Sequence, residues 1–135
     1  MANALYGLGR EKFLDGSIAI LTDNIKCVLV DTATYTVAID TDEFLSDIPS
    51  GERVATSSNM GTKTATLGVF DAADVTFTAV TGDVSEALVI YKDSGVASTS
   101  PLIAYIDTAT GLPVTPNGGD ITVTWDSGAN KIFKL

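Results

Sequence analysis

The run Ala87-Leu88-Val89-Ile90-Tyr91, closed after Lys92 by Asp93-Ser94-Gly95 and followed by Leu102-Ile103-Ala104-Tyr105-Ile106, decides the fold class. Both runs are apolar at successive positions and short, which suits strands covered on both faces. The Asp-Ser-Gly tripeptide between them is turn chemistry, with Gly95 supplying a positive φ. Working outward, Val75-Thr76-Phe77-Thr78-Ala79 and Ile121-Thr122-Val123-Thr124-Trp125 alternate apolar with polar, as half-buried strands do. Ile25 to Asp31 and Tyr35 to Ile39 read as further short strands, with Lys63 to Phe70 and Lys131 to Leu135 as weaker candidates. Eighteen threonines, branched at Cβ, favour strands over helices. Pro113, Pro116-Asn117-Gly118-Gly119-Asp120 and Asp126-Ser127-Gly128 punctuate these runs at spacings typical of antiparallel proteins. The expected fold is therefore mainly β, an antiparallel β-sandwich or jelly roll with a short N-terminal helix.

That helix is expected over Asn3 to Asp15, where Leu5, Leu8, Lys12 and Phe13-Leu14 recur at near-helical spacing. Gly7 and Gly9 weaken it by about 1 kcal/mol each against alanine, and Gly16 is its stop. Such a helix needs a surface to dock on, either its own sheet or a neighbouring subunit. A short helical turn is expected between Asp42 and Asp47, with Phe44, Leu45 and Ile48, ahead of Pro49-Ser50-Gly51. With no repeat or long linker, the 135 residues form a single β-rich domain, 1–135, in which 1–16 is a candidate docking arm.

Composition narrows function. Eight basic and seventeen acidic side chains give a net charge of -9, with a pI near 4.1. That balance disfavours nucleic acid, whose phosphates need clustered Lys and Arg, and an electrostatic membrane anchor. The absence of histidine removes Ser-His-Asp and Cys-His catalysis, imidazole metal sites and histidine switching. A hydrophobic fraction of 45% and a mean hydropathy of +0.28 exclude a disordered chain. The single cysteine, Cys27, lies in an apolar strand-like run and reads as a small buried hydrophobe. Ile18 to Leu21 is too short for a signal segment or a membrane span, so synthesis in the cytoplasm is expected.

No motif amounts to an active site. The two Asp-Ser-Gly tripeptides invite comparison with aspartic proteases, but Lys92 beside Asp93 favours an ionised carboxylate over a shared proton, and turns explain both. Asp40-Thr41-Asp42-Glu43 with Asp47 and Glu52 is the densest acidic stretch. An EF-hand starting at Asp40 fails, because Leu45 and Gly51 stand where a glycine and a glutamate are required. Gly7-Leu8-Gly9-Arg10 lacks the strand and third glycine of a dinucleotide fingerprint. Trp125, Tyr91, Tyr105 and Phe77 alternate with apolar neighbours, which makes core packing the reading ahead of a sugar platform. No catalytic residue, metal or cofactor is expected.

Three stretches carry a resemblance. Ala4-Leu5-Tyr6-Gly7 with Gly9-Arg10-Glu11-Lys12-Phe13 and Ile25 to Val30 opens the chain. Asp74 to Val80 followed by Ala87 to Asp93 forms the middle, and Ser100 to Asp107 with Gly118-Gly119-Asp120-Ile121 to Trp125 completes it. Together they resemble a family of small tailed-bacteriophage virion structural proteins. The resemblance implies a non-enzymatic virion part, assembled in the host bacterial cytoplasm. Within that class it suggests a capsid decoration or cement protein that binds the head shell. The implied partners are the major capsid protein and further copies of the chain in a homo-oligomer, with no nucleic acid and no membrane. The interface candidates are Leu5, Tyr6, Leu8 and Phe13 with Ile132, Phe133 and Leu135. A small tail, collar or baseplate component, or a receptor- or carbohydrate-binding β module, is the alternative.

Overall fold

The computed structural model describes residues 3–109, 111–129 and 131–135. Its elements are β1 (Ala4–Leu5), α1 (Gly7–Leu14), β2 (Ile25–Val30), β3 (Arg53–Thr56), β4 (Val69–Phe70), β5 (Val75–Phe77), β6 (Ala87–Lys92), β7 (Leu102–Ile106), β8 (Ile121–Val123) and β9 (Phe133–Lys134). The fold is mainly β and antiparallel, with one short N-terminal helix.

A five-stranded sheet in the order β1-β7-β6-β2-β3 forms the body, and two ribbons, β4-β9 and β5-β8, accompany it. The continuously apolar runs are its central strands. β2 pairs with β6 in unbroken register from Ile25↔Lys92 to Val30↔Ala87, and β6 pairs with β7. Alternation along these strands feeds two cores. Ile25, Cys27, Leu29, Leu88 and Ile90 pack with Phe70, Val75 and Phe77 from the ribbons. Val28, Val30, Val89 and Tyr91 pack on the other side with Tyr6, Tyr35, Leu45 and Ile48. The five-stranded sheet is thus covered on both faces, by the short ribbons on one and by the segment around residues 31–52 with Tyr6 on the other.

The register between β6 and β7 shifts so that Ile90 opposes Ala104 and Tyr91 opposes Leu102. The extra residue, Ile103, joins Ala104 in the ribbon-side core, as a bulge permits. A second shift, between Leu29 and Val30, inserts Val54 into β3 and bends that short edge strand.

Several sequence expectations need correction. Tyr35 to Ile39 is not a strand: residues 35–38 are irregular, between turns at 32–34 and 39–41, and Tyr35 is buried in the core. β3, Arg53–Thr56, was not anticipated. Of Lys63 to Phe70 only Val69–Phe70 is extended, behind a 3₁₀ turn at Thr66–Gly68. The turn expected at Asp42 to Asp47 is the 3₁₀ segment Leu45–Asp47. Gly95 has the expected positive φ, 92°, whereas Gly128 does not adopt one.

The N-terminal segment differs most from expectation. Residues Asn3 to Asp15 are not one helix, because Ala4 and Leu5 pair with Tyr105 and Ala104 as the edge of the main sheet. The helix begins after Tyr6, where the Gly7 N–H donates to the Ile39 carbonyl at 2.8 Å in place of a side-chain cap. It ends as expected at Gly16, φ 83°, with the Ser17 N–H returning to the Lys12 carbonyl at 2.9 Å. The two glycines are packing residues. A Cβ on Gly9 would overlap the Leu102 carbonyl oxygen and sit 3.3 Å from Ile103 Cα. Gly9 therefore lets α1 lie on β7, and the surface this helix needs is its own sheet. Lys12 adds an ion pair to Glu43 at 2.8 Å and lies 5.3 Å from the Phe44 ring centroid.

Candidate functional site

The candidate interface residues separate into two groups. Tyr6 has no exposed surface, so its side chain belongs to the core and not to a docking face. Its hydroxyl lies 3.2 Å from that of Tyr35, which donates to Asp42 Oδ2 at 2.7 Å. Burial raises both phenol pKa values well above the ordinary tyrosine value, and the neighbouring Asp42 charge adds to this. Leu8 is half-buried and stands outside both core clusters.

The others meet. Leu5 from β1 and Ile132, Phe133 and Leu135 around β9 line one shallow groove of about 670 Å³. Phe13 does not line the groove but packs behind it from α1, its ring 6.3 Å from that of Phe133, which also packs on Phe70 at 5.1 Å. Leu5, Phe13, Ile132 and Phe133 are half-buried against the ribbon-side core, and Leu135 is 56% exposed. β9 is held by β4, with Phe70 opposite Phe133 and the Leu135 N–H bonded to the Gly68 carbonyl at 3.0 Å. Leu5, Ile132, Phe133 and Leu135 thus build one apolar surface, backed by Phe13 and Phe70.

Two cations that the sequence reading passed over line this groove, Arg10 and Lys134. Arg10 Nη1 donates to the Leu5 carbonyl at 3.2 Å. The available signal was Arg10 placed one helical turn from Phe13 and Lys134 between Phe133 and Leu135, but only the fold brings the two ends together.

The other motifs are occupied by structure. Asp42 accepts from Tyr35 and from the Ala38 N–H, and Asp47 accepts from the Glu43 and Phe44 N–H groups. Glu43 is paired with Lys12. Among the described residues there is no cluster of three or more His, Cys, Asp or Glu placed to hold a metal ion. Asp93 pairs with Lys26 at 2.7 Å. The Lys26 hydrogen bond and the Gly95 N–H hold its carboxyl below the usual range. Cys27 is fully buried, beside Met60 Sδ at 3.7 Å, and burial pushes its thiol up to about 12. Phe77, Tyr91 and Tyr105 are core residues. Trp125 is half-buried and donates Nε1–H to the Ala73 carbonyl at 3.0 Å. It lines a second cleft of about 770 Å³, with Leu112, Val114 and Ile121. Among the described residues no helix is long and apolar enough to cross a membrane.

Comparison with protein-family models and with curated proteins gives no match.

Proposed function

We propose that this chain is a non-enzymatic structural protein of a tailed-phage virion, acting as a decoration protein that docks on the head shell. The observation that carries the reading is the joint surface of Leu5, Ile132, Phe133 and Leu135, backed by Phe13 and drawn from both ends of the chain. Apolar anchors on a fixed strand and helix lose little conformational freedom on binding, which suits permanent assembly. Asp42, Glu43 and Asp47 of the acidic stretch serve as internal acceptors and ion-pair partners, which suits a binding part more than a hydrolase. The sequence resemblance supplies the virion assignment, with the major capsid protein and further copies of the chain as partners.

Immunogold electron microscopy of purified virions with an antibody to this chain tests the reading. Gold over the head shell is the expected result. Gold at the neck or tail replaces decoration with a collar, baseplate or tail role, and unlabelled particles overturn the virion assignment. A receptor- or carbohydrate-binding module is the second reading, favoured by Trp125 on its cleft. Sugar-dependent change in Trp125 fluorescence would support it.

A further inference from the structure

We infer that the groove between β1 and β9 takes an extended segment of a partner protein, apolar at alternate positions and carrying carboxylates, which adds a strand to the free edge of β1. The first observation is the edge itself. β1 ends the order of the five-stranded sheet, and among the described residues no strand pairs with its outer side. The Tyr6 N–H donates to the Ile103 carbonyl at 2.9 Å, and Leu5 stands opposite Ala104. In an antiparallel ladder this makes Leu5–Ala104 a non-hydrogen-bonded pair, so the Leu5 N–H and C=O point outward. Arg10 reaches the outward carbonyl from α1, which confirms its direction and leaves the N–H for an incoming strand. β1 is only two residues long and Arg10 covers its outward carbonyl, so the edge offers an incoming strand one main-chain donor, the Leu5 N–H, and side-chain contacts along the groove must supply the rest.

The second observation is charge. The molecule carries seventeen acidic and eight basic side chains, yet among the described residues the groove is lined by Arg10 and Lys134 and by no Asp or Glu. It is a cationic inlet on an acidic protein. A two-fold pairing of this groove with itself would set these cations against their own copies, which disfavours that occupant. A segment with carboxylates beside its apolar residues complements both features, with apolar side chains on Leu5, Ile132 and Leu135 and acids towards Arg10 and Lys134. The inference rests on the docking role proposed above and names the chemistry that the partner presents to it.

The test uses the full chain and two labelled synthetic strand peptides, one alternating valine with glutamate and the other valine with lysine. Binding is followed by fluorescence anisotropy and by amide shifts. The glutamate peptide is expected to bind saturably, to shift the Leu5 and Lys134 amides, and to exceed the lysine peptide by on the order of tenfold. Arg10→Glu with Lys134→Glu should reverse that preference. Lys134→Glu alone, on an exposed side chain, should weaken glutamate-peptide binding with circular dichroism unchanged. No saturable binding, equal binding of the two peptides, or shifts confined to other surfaces would overturn the inference. Head labelling without peptide binding leaves decoration standing and removes the groove, whereas peptide binding with unlabelled virions does the reverse.

Discussion

Gly9 of α1 rests against the carbonyl oxygen of Leu102 in β7 so closely that no side-chain carbon fits between them. Gly9→Ala should therefore destabilise the protein by about 1–3 kcal/mol through overpacking, despite a helix-propensity gain near 1 kcal/mol. A melting temperature lower by several degrees is expected. Gly7→Ala is the contrast: the closest atom there is the Asp40 side-chain oxygen, which can rotate away, while the Asp40 Cα at 3.3 Å must give slightly, so thermal melts should show a smaller loss.

Tyr35 receives one proton and gives another. Because its hydroxyl donates to Asp42, the Tyr6 hydroxyl must donate to it. Tyr35→Phe leaves the fully buried Tyr6 O–H without its acceptor and should cost about 1–3 kcal/mol in urea unfolding. Tyr6→Phe removes a donor while Tyr35 keeps Asp42, and should cost less. Equal losses would contradict this direction of donation.

The protein should be alkali-labile. Burial raises Tyr6 and Tyr35 above the ordinary 10.0 and Tyr91 to about 12, and it raises Cys27 from 9.0 to about 12. The folded state holds these protons where the unfolded chain releases them. The contribution is fully present below about pH 9 and is lost as pH rises towards 12 and beyond. Phenolate absorbance should climb together with loss of circular dichroism. Phenol titration well ahead of unfolding would count against the burial assigned here.

Cys27 should ignore thiol reagents in the folded protein. Its sulfur is buried beside Met60, and the reactive thiolate is suppressed by burial. An aromatic disulfide reagent should label it only in guanidinium, with labelling rate following global unfolding.

Removing residues 1–16 should unfold the protein, contrary to the separable arm that the sequence suggests. The cut takes away an edge strand, the core side chain of Tyr6 and the helix packed on β7. A truncated chain with native thermal stability would restore the arm. Surface variants such as Lys134→Glu are the sounder way to separate docking from folding.

What could be read in advance follows from how local each signal is. β2, β6 and β7 announced themselves because strands covered on both faces are apolar at every position. β5 and β8 did so by alternation. Tyr35 to Ile39 shows β-prone residues as well, but its conformation is decided by the Asp42 carboxylate, which gathers Tyr35 and the Ala38 N–H. β3 carries Arg53 and is only four residues long, so propensity alone could not raise it above its loop. The apolar residues of the candidate surface were legible individually. Their meeting was not, because β1 and β9 belong to different sheets and are brought together by everything between them.

That last dependence sets an order of events during synthesis. The groove is lined by Leu5 and Arg10, by Ala104 to Ile106 of β7 and by Ile132 to Leu135, so a chain translated only as far as residue 131 lacks part of this surface. The docking proposed for this groove therefore has its full surface only once residues 132–135 have been made and folded against β4.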